Sequence, residues 1–204
     1  MIGDFLAPGV LLGLAISLSP GPIMALLLSE TLRHGVKGGL RIAVAPLFTD
    51  IPFIFVAITI ANGISISPIV LGTGSLLGGF FLLFLAWLNI TTHANAFIVT
   101  GSAPSSLWKG ITVNLLNPYL YLFWFSVATP IFARGNIPGS LSFSVGFLIT
   151  AVGTMCVVAV GVALLRSRLI DCLHWIIRGI GVFLAFFALT LLRDGFQMLG
   201  FSLR

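Results

Sequence analysis

Charge is what this 204-residue sequence has least of: Asp, Glu, Lys and Arg together make up 7% of it. Soluble domains carry roughly 25% charged residues, and no aqueous surface can be assembled from so few. Acids are scarcest, five against ten Lys and Arg, for a net charge of +5. The excess of base does not point to nucleic acid, because the basic residues stand singly between apolar stretches instead of clustering on one face. Cysteine is nearly missing as well. Cys156 and Cys172 are too far apart for a C-x-x-C redox pair or a zinc site. With so few Cys and His, the sequence offers no metal site and calls for no cofactor.

What it has in abundance is apolar surface: 58% hydrophobic residues and a mean hydropathy of +1.17. The sequence therefore predicts an all-α integral membrane protein lying in the lipid bilayer. A span needs about 20 mostly apolar residues, and six windows qualify, at roughly 5 to 29, 42 to 62, 68 to 90, 111 to 132, 141 to 164 and 176 to 199. Residues 1–204 read as a single transmembrane domain. Before the first apolar run, Met1-Ile2-Gly3-Asp4 has no Lys or Arg, unlike the basic start of a cleaved signal peptide. The first helix is expected to remain.

Arg33, Lys37, Arg41, Lys109, Arg166, Arg168 and Arg178 fall on one side of these spans, and Arg134, Arg193 and Arg204 on the other. The richer side marks the cytoplasm, so both termini are expected outside, with the plasma membrane as the site of residence. Between the last two windows, Asp171, His174 and Arg178 stand opposite Leu169, Leu173 and Ile176, the pattern of a short interfacial helix. His174 and His93 read as wet interfacial residues. Glycines recur on one helix side as Gly9 and Gly13, Gly74 and Gly78, and Gly146, Gly153 and Gly161. Such faces permit close backbone approach, either within the chain or in a homodimer.

Interruptions within the spans carry more information. In Ser17-Leu18-Ser19-Pro20-Gly21-Pro22, two prolines around a glycine remove backbone donors in the middle of an apolar run. The carbonyls before such a break must find a hydroxyl such as Ser17 or Ser19, another helix, water or a ligand. A second break is expected at Asn114-Leu115-Leu116-Asn117-Pro118, whose Asn side chains suit a polar or zwitterionic substrate or cap the broken turn. Asp50, between Pro46 and Pro52, is the carboxylate expected in a span interior, with Thr49 as a local donor. An ionised Asp in hydrocarbon is costly, so an acid there is a functional candidate by default, suited to carrying a proton.

Counted from the cytoplasmic ends of their spans, Pro20, Gly21 and Pro22, Asp50, and Asn117 with Pro118 lie about six to nine residues in, roughly 9 to 14 Å. All are expected at one cavity. The breaks also fall in the first span of each half, about 1–100 and 101–204, and three spans per half make the halves antiparallel. Matching breaks in inverted halves point to the binding site of a transporter. The expected architecture is thus six helices in two inverted three-helix halves, with the first and fourth helices broken.

At these residues the sequence resembles the lysine exporter and homoserine/threonine resistance (LysE/RhtB) family of amino-acid exporters. The likeness rests on Ser19-Pro20-Gly21-Pro22, on Gly35-Val36-Lys37-Gly38-Gly39-Leu40, on Asp50, and on Trp108-Lys109-Gly110 leading into Asn114-Leu115-Leu116-Asn117-Pro118. Two positions depart from the family pattern: Tyr119 stands where Lys commonly follows Asn-Pro, and Ala45-Pro46-Leu47 replaces a glycine-rich approach to the acid. The resemblance implies a carrier and not an enzyme. Its cargo would be amino acids or related small metabolites exported from the cytoplasm, with protons as the coupling ion. Metal-cation export ranks lower for lack of clustered ligands. Thiol oxidoreduction lacks paired cysteines, and hydrolysis lacks a Ser and His pair in neighbouring spans at matching depth.

Overall fold

A computed structural model describes residues 2–63, 68–91, 107–165 and 168–200. Every element among them is helical: α1 (Ile2–Leu18), α2 (Pro22–Ala43), α3 (Ala45–Gly63), α4 (Pro68–Thr91), α5 (Leu107–Leu115), α6 (Pro118–Leu122), α7 (Thr129–Phe132), α8 (Ile137–Leu165) and α9 (Arg168–Met198), with a π-helical segment, Phe123–Ala128, joining α6 to α7.

Among the described residues, four stretches are long and apolar enough to cross a membrane: Pro22–Asn62, Gly72–Thr91, Ile137–Leu164 and Gly181–Met198. The bent pair Leu107–Leu115 and Tyr119–Phe132 makes a fifth if it is one span, and Asp4–Leu18 is a shorter apolar helix. Such a chain is a multi-pass membrane protein.

The polarity of the fold is inverted relative to a soluble one. Phe55, Ile149, Val157, Val182 and Phe186 are exposed, as befits lipid contact, while Glu30, Thr49, Asp50, Ser75, Asn89, Asn114 and Asn117 are buried. In lipid a backbone or side-chain polar group must find its partner inside the protein.

The 41 residues Pro22–Asn62 would reach about 60 Å if straight, twice the thickness of the hydrocarbon core. They do not run straight. Gly35, at φ 68° and ψ −166°, occupies a conformation open essentially to glycine alone, and there α2 turns back. A Cβ on Gly38 would stand only 2.6 Å from the Glu30 carbonyl oxygen, so the two arms of the turn touch.

Close approach of backbones assembles the rest. α8 lies along α1 and α2, and α4 lies along α9. The glycine faces serve these contacts. A Cβ on Gly13 would come within 2.6 Å of the Phe147 carbonyl oxygen, and Gly9 meets the Phe143 carbonyl in the same way. Gly78 admits the Ser126 carbonyl, Gly79 packs on Leu192, and Gly146 on Leu6. Packing of this kind, together with interhelical hydrogen bonds, holds helices together where lipid removes the hydrophobic drive between them. Gly153 has no neighbour within 4 Å of a built Cβ.

The helices cover the windows expected from hydropathy, with one correction. The backbone from Arg168 to Met198 is a single helix, so the separate interfacial helix expected around residues 166 to 178 is instead the start of α9. No proline falls between Arg168 and Arg178 to interrupt it. The side chains of Cys172 and His174, like all of His93, lie outside the described residues.

Candidate functional site

Both expected breaks exist, and they end differently. α1 stops at Leu18 and α2 starts at Pro22. The last carbonyls of α1 are met by hydroxyls: Ser17 Oγ donates to the Leu14 carbonyl at 3.0 Å and Ser19 Oγ to that of Ala15 at 2.8 Å. The backbone N–H of Ser19 reaches the Ile16 carbonyl at 3.2 Å. On the far side Gly21 is the N-cap of α2, extended at φ −169° and ψ 175°, and no side chain caps the helix. Pro22 has no N–H to lose, whereas those of Ile23 and Met24 lack an intrahelical acceptor by helix geometry.

In the second break α5 ends at Leu115 and α6 begins at Pro118. Here Asn117 supplies the cap, its Oδ1 accepting from the Tyr119 N–H at 3.0 Å. The helices on either side meet at 64°.

Between the breaks stands Asp50 on α3, 5% exposed. Thr49 Oγ1 donates to Asp50 Oδ1 at 3.0 Å. Asn114 Nδ2 donates to Thr49 Oγ1 at 2.7 Å and lies 3.3 Å from Asp50 Oδ1. Asn114 is thus a bridge from the broken α5 to the acid, while Asn117, three residues later, is spent on the cap of α6.

These groups line a cavity of about 70 Å³. Ser17, Ser19, Pro20 and Gly21 come to it from the first break, Asn114 and Asn117 from the second, and Asp50 from α3. Pro22, Thr49 and Pro118 are not among the lining residues: Pro22 and Pro118 open α2 and α6, and Thr49 reaches the cavity only through its bonds to Asp50 and Asn114. The remaining wall is apolar and aromatic: Phe123 stacks on Phe147 at 4.7 Å between centroids, and Trp124 meets Phe147 edge-on at 5.2 Å. Asp50 is the one charged side chain among the described lining residues.

Several contributors escape a reading of the sequence. Trp124 is close enough to the Asp50 carboxyl to interact with it, yet its buried Nε1–H is outside hydrogen-bond geometry with any acceptor. It belongs to the π-helical segment, where the Trp124 carbonyl accepts from both the backbone N–H of Thr129 and its Oγ1, the latter at 2.9 Å, and Pro130 can offer no N–H to the Ser126 carbonyl. Asn89 of α4 donates to Ser19 Oγ at 3.0 Å and to the Leu85 carbonyl at 2.7 Å, which fixes the hydroxyl at the end of α1. A polar residue inside an apolar run was the available signal for Asn89.

The expectation of one interior carboxylate needs correction. Glu30 is 1% exposed, paired with Lys109 of α5 and with His34 Nδ1 at 3.0 Å. The hydropathy window closed at residue 29, but α2 continues to the turn at Gly35, so residue 30 is covered by its neighbours. Among the described residues, no group of three or more His, Cys, Asp or Glu is placed to hold a metal ion.

Small polar groups, two helix breaks and one acid converge on this cavity. No curated protein and no solved structure matches the chain. A family model does, over residues 14–195, a stretch that contains both breaks, Asp50 and the whole cavity wall; the chain belongs to the family of LysE type translocators.

Proposed function

We propose that this translocator exports amino acids or related small metabolites from the cytoplasm in exchange for protons, by alternating access around the cavity between its two breaks. The observation that carries this reading is the position of Asp50: a buried acid, the one charge in the cavity wall, bridged by Asn114 to a broken helix. A substrate ammonium and a proton would compete for the same carboxyl, which is the simplest way to make one flow depend on the other. The uncapped start of α2 suits a substrate carboxylate, since N–H groups and the helix dipole both favour negative charge there. The Ser17, Ser19, Pro20, Gly21 and Pro22 break, Thr49, Asn114, Asn117 and Pro118 complete the proposed site.

The architecture proposed is six passes in one domain, residues 1–204, formed by two inverted halves. Packing supports it. Taking α1 with the first arm of α2 as one pass and α5 to α7 as the fourth, the first pass packs on the fifth, α8, as the fourth packs on the second, α3. The third and sixth, α4 and α9, pack on each other. A two-fold relation between halves requires that pattern. Contacts also support the sorting of charges by side. Glu30 meets both Lys109 and His34, next to Arg33, while Arg134 pairs with Asp194 at 2.5 Å, next to Arg193. The Arg33 side is read as cytoplasmic, with both termini outside the plasma membrane.

At about 70 Å³ the cavity has room for a few waters. Ligand pockets run to about 300–1,000 Å³, so passage of an amino acid needs the helices around the breaks to part. The decisive experiment is efflux of labelled amino acids from proteoliposomes with and without a proton gradient. Proton-driven efflux of a panel member is expected from the parent, and its loss in Asp50→Asn. Unchanged gradient-driven efflux in that variant would remove Asp50 from the coupling role.

A further inference from the structure

Glu30 is a buried carboxylate outside the cavity, and the translocation scheme above makes no use of it. Its Oε1 accepts from Lys109 Nζ across 79 residues of sequence, while Oε2 lies 3.0 Å from His34 Nδ1, one turn along α2, outside hydrogen-bond geometry. A buried ion pair is a poor source of stability compared with apolar residues of the same volume. Its use has to be sought in the geometry that it enforces.

That geometry concerns α5, a nine-residue arm, Leu107–Leu115, ending at the 64° bend. Asn114 lies about 4.5 Å along the axis from the bend at Asn117, and Lys109 about 12 Å, at a rise of about 1.5 Å per residue. The two side chains point about 140° apart around the helix, five residues at about 100° each. One reaches Glu30 on α2 and the other reaches Thr49 and Asp50 on α3. Gly110 sits between them against Ile42 and Ala45, where α2 gives way to α3; a Cβ there would be 2.8 Å from that of Ala45. The arm is therefore wedged into the α2 and α3 junction and tied at its far end, where a tie has the greatest leverage against rotation about the bend.

We infer that Glu30 is a positioning residue of the substrate site: through Lys109 it holds α5 in the place that keeps Asn114 on Thr49 and Asp50, and its release lets α5 swing and opens the cavity. The inference rests on reading this cavity as the substrate site. It assigns to the ion pair the closed position of one gate and to Asn114 the sensing of that position at the acid.

The test measures opening directly. Ala151, a small cavity-lining residue of α8, is replaced by Cys in a chain carrying Cys156→Ser and Cys172→Ser. Modification of that reporter by a small charged thiol reagent is timed with the protein in nanodiscs. In Glu30→Gln/Lys109→Met, which removes both charges and leaves no unpaired buried ion, labelling is expected to accelerate about tenfold through a larger open population. The swapped pair Glu30→Lys/Lys109→Glu is expected to return it to within about twofold of the parent. A pair that serves stability alone would change the melting temperature and leave the labelling rate of the folded protein as it was, and that result overturns the inference. If the neutral pair does not insert, Glu30→Asp keeps the charge and shortens its reach by one methylene; faster labelling upholds the inference and parental labelling overturns it. Because labelling needs no substrate, failure of proton-driven efflux alongside accelerated labelling counts against the transport reading alone. Working efflux with parental labelling counts against the gate alone.

Discussion

The two helix breaks meet at one cavity and use their polar groups in opposite ways. At Pro20-Gly21-Pro22 the hydroxyls of Ser17 and Ser19 turn back onto α1, and the start of α2 has no side-chain cap. At Asn117-Pro118 the start of α6 is capped by Asn117 itself, and the polar group aimed elsewhere is Asn114, three residues earlier, which reaches Asp50. The first break thus leaves the start of its second helix without a side-chain cap, while the second caps its own backbone and contributes a side chain to the acid. Two breaks that meet at one cavity need not be chemically equivalent. On the proposed reading, the difference would suit an asymmetric ligand, acidic at one end and basic at the other.

The comparison is broken most severely by repairing the first gap. Pro20→Ala/Pro22→Ala restores two backbone donors and lets α1 continue into α2; export is expected to fall below detection while membrane insertion stays normal, measured by efflux against surface quantity. Undiminished efflux would mean that a continuous helix serves equally well. Next in size is Asn114→Ala, which removes the bridge to Thr49 and Asp50. A buried acid that loses a donor costs about 1–3 kcal/mol, so a drop of about tenfold or more in maximal efflux is expected, with the melting temperature as the parallel readout.

Finer variants sharpen the contrast. Gly21→Ser places a cap where there is none, and its hydroxyl would compete with a substrate carboxylate for the Met24 N–H; KM is expected to rise several-fold, with stability gaining only a few tenths of a kcal/mol. Gly21→Ala is the control, since a Cβ there meets the Tyr119 ring at an ordinary 3.6 Å. Asn117→Ala should do the reverse of Gly21→Ser: loss of about 1 kcal/mol of stability in thermal unfolding, with a smaller change in KM than Gly21→Ser produces. A large KM effect at Asn117 would erase the distinction between the breaks.

Much of this site could be read from residue types because local chemistry dictates it. Proline has no N–H wherever it falls, so Pro20, Pro22 and Pro118 announce interrupted helices without knowledge of their neighbours. Asp50 in an apolar run announces an expensive group that must have a partner. Glu30, Lys109 and Trp124 gave no comparable announcement, and Asn89 announced a polar group without its partner. Glu30 stood at the edge of a hydropathy window, Lys109 resembled a topology signal, and their pairing joins residues 79 apart in sequence. Asn89 and Ser19 are 70 apart. The glycine faces were legible as faces, but not the helices they would meet.

Composition and the periodic return of apolar runs determined by themselves that this chain lies in a membrane, that it is helical, and where its helices fail. Those are consequences of solvation and of backbone valence, which act residue by residue. Which failures share a cavity, which asparagine caps and which one reaches the acid, and whether a lysine is a topology signal or the tie on a helical arm were decided only by tertiary structure. Their energies depend on distance between groups far apart in the chain, and only packing sets those distances.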